Sequence, residues 1–133
     1  MPYMDLGQPG LYRESLGEGD PVVLLNGILM TVDSWRLQTR EMSQHFRCVM
    51  HDFRGQMMSS RPESPWTMED HATDLLALLD HLGIEKGHVV GTSYGGEVGM
   101  MFAAKQPDRV RTLSVIASVS EIGPDTASAV EDW

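Results

Sequence analysis

A single cysteine, Cys48, among 133 residues leaves no intrachain disulfide and rules out the stapled scaffold of a small secreted domain. Basic residues are also scarce: Lys plus Arg number 10 against 19 for Asp plus Glu, a formal net charge of −9. That balance excludes the basic face with which nucleic-acid binders neutralise phosphates, and the polybasic patch of a membrane-surface module. No apolar run approaches the roughly 20 residues that a membrane helix needs. Met1-Pro2-Tyr3-Met4-Asp5 has neither a basic nor an apolar segment, so no signal peptide is expected. No His/Cys cluster has metal-ligand spacing, so neither a metal nor another cofactor is expected. What is present is 41% apolar and 22% charged residues, a soluble globular composition. The expectation is one acidic domain over residues 1–133, located in the cytoplasm.

Along the chain, apolar residues alternate between two periods. Val22-Val23-Leu24-Leu25, after the turn Gly17-Glu18-Gly19-Asp20-Pro21, reads as a strand buried on both faces. Leu11–Ser15 is expected to pair with it as a hairpin across that turn. A helix is predicted from about Ser34 to Gln44, a second buried strand over Cys48–His51, and a loop from Asp52 to Trp66, which holds Gly55, Pro62 and Pro65. Thr67 is placed as a helix N-cap with Asp70 three residues on. Met68, Ala72, Leu75, Leu76, Leu79 and Leu82 then recur at helical spacing, and Gly83 stops the helix. His88-Val89-Val90 reads as a third strand, followed by a helix to about Lys105 and a fourth strand over Val110–Val119. Alternating strands and helices predict an α/β fold: a mostly parallel sheet with helices on both faces.

Gly91-Thr92-Ser93-Tyr94-Gly95 is a G-x-S-x-G pattern, here set between an apolar strand and a helix. That context, strand then sharp turn then helix, is what a nucleophile elbow requires. A serine on such a turn projects its hydroxyl above the sheet, and small residues two positions either side let strand and helix approach. The helix N-terminus behind it favours developing negative charge. No G-x-G-x-x-G or G-x-x-x-x-G-K-[ST] is present, so a phosphate-binding turn is poorly supported.

With Asn26-Gly27 after the first strand, Asp52-Phe53-Arg54-Gly55 after the second, Gly91–Gly96 at the elbow and Pro107-Asp108-Arg109-Val110 after the next helix, the chain resembles the N-terminal half of the α/β-hydrolase superfamily. Its flavour is that of small-molecule esterases, enol-lactonases and cofactor-free perhydrolases. The resemblance implies that Ser93 is the acyl nucleophile and that the backbone N–H groups of Ile28 and Tyr94 form the oxyanion hole. It implies a small-molecule acyl substrate, an ester, lactone or thioester. The chain departs from the family pattern at Asn26, where histidine is common, and at Met57, where a second glycine is usual.

None of the five histidines follows Ser93, whereas in this fold the base lies downstream; a rearranged triad using an upstream histidine such as His71 or His81 is the minor alternative. Glu121 and Asp125 stand where some members place the triad acid, although solvated loop carboxylates are the favoured reading of both. The expectation is a truncated α/β-hydrolase core: nucleophile and oxyanion hole without base or cap, with about residues 123–133 beginning a cap segment. Such a chain alone should be nearly inert, and a silent binding or assembly module is the alternative. Its last strand is expected to leave an apolar edge that pairs with another copy or a separate C-terminal chain. The loop methionines Met30, Met57 and Met58 read equally as acyl-pocket lining or packing. Asn26, Leu29 and Trp35 are further pocket candidates; Trp35 and Trp66 read either as flanking the cleft or as packing at element ends, with packing favoured, and Cys48 reads as a buried apolar residue.

Overall fold

A computed structural model describes residues 3–4 and 10–131 of the chain. Six strands form one sheet: β1 (Tyr3–Met4), β2 (Leu11–Leu16), β3 (Asp20–Leu25), β4 (Phe46–His51), β5 (Gly87–Thr92) and β6 (Val110–Ile116), in spatial order β1-β2-β4-β3-β5-β6. Among the described residues four α-helices accompany them: α1 (Arg36–Met42), α2 (Met68–His81), α3 (Tyr94–Lys105) and α4 (Pro124–Glu131). β3 is parallel to both β4 and β5, and β5 is parallel to β6, while β2 runs antiparallel to β4.

The apolar run of β3 follows from this central position. Val23 and Leu25 pack into a core with Leu75, Leu78 and Leu79 of α2 and Val98 and Phe102 of α3. Val22 and Leu24 point the other way, into a second core with Trp35, Cys48 and Met50. Successive strand side chains face opposite sides, so a strand covered on both has no position for a polar residue. Cys48 lies fully buried in the second core, where burial raises its thiol pKa.

The hairpin expected between Leu11–Ser15 and β3 does not form. β2 lies on the far side of β4, with Arg13 opposite His51 and Leu16 opposite Cys48. The turn between β2 and β3 crosses the start of β4 instead. A Cβ on Gly17 (φ +81°) would stand 2.3 Å from the carbonyl oxygens of Ser43 and Phe46, so the backbone itself is seated there. A further correction concerns β6, which ends at Ile116, not Val119, because Ala117 turns the chain at φ 47°. The predicted first helix divides into a 3₁₀ turn over Val32–Trp35 and α1. α2 starts as predicted: the Asp70 N–H donates to the Thr67 hydroxyl and the Thr67 N–H to the Asp70 carboxylate.

β6 is the last strand in the sheet order, and Val115 and Ile116 remain 40% and 49% exposed on it. Among the described residues no helix is long and apolar enough to cross a membrane.

Candidate active site

β5 delivers the chain to Ser93, which adopts φ 52° and ψ −122° before α3 begins at Tyr94. Ser93 is exposed, as a side chain projected from a sharp turn must be. Small neighbours make the turn sterically feasible. A Cβ on Gly91 would lie 2.2 Å from the Gly95 carbonyl oxygen, one on Gly95 2.2 Å from the Leu25 oxygen, and one on Gly96 2.6 Å from Ser118 Cβ. α3 thereby sits directly against the end of β3. The Ser93 N–H donates to the Ile116 carbonyl at 2.9 Å, and the Ser93 carbonyl accepts from the Gly96 N–H at 2.9 Å. The Tyr94 N–H belongs to the first helical turn and has no acceptor within α3.

The loop after β3 meets this turn. A Cβ on Gly27 would lie 3.5 Å from Ser93 Cβ. The Gly27 N–H donates to the Met30 thioether at 3.2 Å, and the Met30 N–H returns to the Gly27 carbonyl at 3.2 Å. Ile28 follows with 67% of its surface exposed. Residues of the loop after β4 fix this segment. Gln56 Nε2 donates to the carbonyls of Gly27 (2.9 Å) and Ile28 (3.1 Å), while Gln56 Oε1 accepts from the Phe53 N–H at 3.0 Å. Asn26, fully buried, donates to the His51 carbonyl (3.1 Å) and Asp52 Oδ1 (3.2 Å), and its Oδ1 accepts from Trp35 Nε1 at 2.8 Å. Asp52 Oδ1 also accepts from the Val32 N–H at 2.9 Å.

Several residues read from sequence as pocket candidates stand elsewhere. Asn26 and Trp35 are buried, with Trp35 Nε1 spent on Asn26 Oδ1 and the Asn26 amide N–H groups on His51 and Asp52, so they brace the loop from beneath instead of lining a cavity. Met57 and Met58, 75% and 53% exposed, line a separate depression with Tyr12, Thr31 and Asp52. Leu29 is 96% exposed, and Met30 packs against the second core. Glu121 lies in a cleft with Glu97, Met100 and Met101, and Asp125 is in the first turn of α4.

A cavity of about 270 Å³ opens beside the elbow, between Ile28, Tyr94, Phe53, Trp66, Gln56, Arg54 and His71. Trp66 closes it over Gly55 (φ +83°), where a Cβ would stand 2.4 Å from the indole. The Arg54 guanidinium is held in a two-bond pair with Asp74, at 2.8 and 2.7 Å, which raises its pKa. Two buried histidines lie beneath. His51 is wholly enclosed, and burial, helped by the neighbouring His71, takes its pKa down to about 4. The His71 ring lies 4.7 Å from Phe53 and 5.5 Å from Tyr94, centroid to centroid, and burial lowers its pKa too. Gln56 and Asp74 went unmarked in the sequence as parts of this site, whereas Trp66, for which packing is the favoured expectation, stands in the cavity wall. His71, expected on α2, also reaches that wall.

Comparison with known proteins agrees with this geometry. The sequence profile of the α/β hydrolase fold matches residues 20–133. A putative carbamate hydrolase of Azorhizobium caulinodans is 34% identical over 87% of the chain and 44% of its own length. An uncharacterized carboxylesterase of Bacillus subtilis is 32% identical over 89% and 40%. Among solved structures, the enol-lactonase of Burkholderia xenovorans superposes with a TM-score of 0.88 at 31% identity, covering 98% of this chain and 53% of that one. The chain thus spans about half the length of these relatives. By profile, relatives and structure, the chain belongs to the α/β-hydrolase fold family.

Proposed function

We propose that Ser93 is the acyl nucleophile of a serine hydrolase acting on a small ester, lactone or thioester. The observation that carries this reading is the backbone of Ser93, held at positive φ by three glycine contacts that no side chain would permit. Strain of this kind persists where surrounding structure enforces it, and it lifts the hydroxyl clear of the sheet. The carboxylesterase and enol-lactonase names of the relatives agree with that substrate class.

In this reading a histidine takes the Ser93 proton as Oγ attacks the substrate carbonyl carbon. The Ile28 and Tyr94 N–H groups receive the oxyanion, the leaving group departs with the histidine's proton, and water releases the acid. The histidine comes from outside this chain, since none of its five follows Ser93. Residues 1–133 alone are accordingly nearly inert. The exposed edge of β6 is where a second copy or a separate C-terminal chain would add its strand. A monodisperse monomer at high concentration counts against that pairing.

Intact mass before and after a fluorophosphonate probe tests the nucleophile. One added probe mass, lost in Ser93→Ala, is expected when the chain is supplied with its histidine-bearing complement. No label under that condition favours the second reading, a silent binding or assembly module. The missing downstream histidine is what keeps that reading in view.

A further inference from the structure

We infer that His71 selects the acyl group, donating a hydrogen bond to an uncharged acceptor oxygen carried by whatever enters the cavity beside Ser93. The inference rests on the acyl-hydrolase reading and names its substrate class. His71 is only 3% exposed, yet it contributes to the cavity wall with Tyr94, Ile28 and Trp66. Its Nδ1 is enclosed without a hydrogen-bond partner, whereas Nε2 is not enclosed in this way. A buried N–H without an acceptor is rarer and costlier than a bare lone pair, so the proton belongs on Nε2. The N–H then lies on the open edge of the imidazole.

The ring cannot swing to find a partner within the protein, because Phe53 and Tyr94 pack against it. A leucine would fill the same space without an orphaned nitrogen, so packing alone does not account for an imidazole here. The partner must be neutral. Burial, with Arg54 acting in the same sense against Asp74 and Asp70, disfavours the imidazolium. Arg54 itself is committed to Asp74 by two hydrogen bonds and is not free to hold a carboxylate. Two carboxylates therefore stand near the cavity beside one already-paired cation, which disfavours an anionic acyl group. A keto, ether or hydroxyl oxygen on a small planar or branched acyl chain fits the remaining space between aromatic walls.

The test is binding, not turnover, and uses two isosteric probes: acetophenone, which carries the acceptor oxygen, and α-methylstyrene, which replaces it with CH₂. Long-range ¹H–¹⁵N spectra of the labelled chain follow the imidazole nitrogens, with His71 assigned by its loss in His71→Leu. Acetophenone should bind roughly fivefold more tightly, the worth of one neutral hydrogen bond, and should move the His71 Nε2 resonance. His71→Leu should abolish the preference while still binding α-methylstyrene, and His71→Gln should restore part of it. Equal affinities, a preference that survives in His71→Leu, an unmoved Nε2, or no binding of either probe would each overturn the assignment. Ser93→Ala should leave the preference intact, so the two readings fail separately. Labelling without the preference removes only His71's role, and the preference without labelling removes the nucleophile and with it the acyl group, leaving His71 as a neutral hydrogen-bond donor in a binding cavity.

Discussion

The side-chain amide of Gln56 donates to the carbonyl oxygen of Gly27 at 2.9 Å and so ties the loop after β4 to the loop that flanks Ser93. The same amide oxygen accepts from the N–H of Phe53, a residue that is 1% exposed. Gln56→Leu removes both ties and leaves a buried N–H without an acceptor. The expected cost is about 1–3 kcal/mol in denaturant unfolding. On the proposed nucleophile reading, fluorophosphonate labelling in the presence of the histidine-bearing complement should slow roughly tenfold as Ile28 loses its fixed position. Unchanged labelling would show that the loop holds itself.

Gly95→Ala should be among the most damaging single changes available. Its Cβ would meet the backbone oxygens of Leu25 and Asn26 at 2.2 and 2.5 Å, and backbone cannot swing aside as a side chain can. A loss of about 3 kcal/mol or failure to fold is expected. Gly83→Ala provides the contrast: nothing lies within 4 Å, and only the φ of +66° is at issue. Its cost should stay near 1 kcal/mol. Similar unfolding midpoints for the two variants would contradict the close approach of α3 to β3.

Arg54 and Asp74, 19% and 7% exposed, form an ion pair that is largely removed from water. Asp74→Asn strands the guanidinium and should cost roughly 2–3 kcal/mol, between the values for surface and buried pairs. The loss should be insensitive to added salt, because a buried pair is poorly screened. The exposed pair Arg36–Asp33 should contribute little by the same measurement.

His51 gives the fold a defined acid response. Its native pKa of about 4 lies below the ordinary histidine value of 6.5, so the unfolded chain binds its proton first as pH falls. The His51 contribution is complete above 6.5 and is lost between 6.5 and 4, by roughly 3 kcal/mol over the full window, and His71, whose pKa burial also lowers, acts in the same sense. Glu97, whose carboxyl pKa is raised by burial, acts in the opposite sense just above 4.5 and flattens the lower end. Urea unfolding at pH 7 and pH 5 should give a difference that shrinks in His51→Leu. An unchanged difference would place the acid response elsewhere.

What could be read in the sequence was local. Val22–Leu25 announces a strand covered on both faces because no residue in it is polar, and Gly91–Gly96 announces the elbow because the glycines fall where strand and helix touch. Thr67 and Asp70 announce the start of α2 by their spacing. The partners of β2 were hidden, since antiparallel pairing with β4 depends on a turn seated on Ser43 and Phe46 far along the chain. Gln56 and Gly27 are 29 residues apart, and Arg54 and Asp74 are 20 apart, with nothing in either spacing to mark them. Met57 and Met58 follow the right motif but line the depression beside Tyr12, where the Met58 N–H donates to Asp52 Oδ2 at 3.3 Å.

The positive φ of Ser93 has a meaning beyond reach toward a substrate. A conformation that L-residues avoid costs about 1–3 kcal/mol, and glycine would escape that cost. Ser93→Gly should therefore unfold at a higher urea concentration than the native chain, whereas Ser93→Ala should not. If Ser93 is the nucleophile proposed above, robustness and reactivity pull in opposite directions at this one residue, and selection for durability alone would erase the hydroxyl.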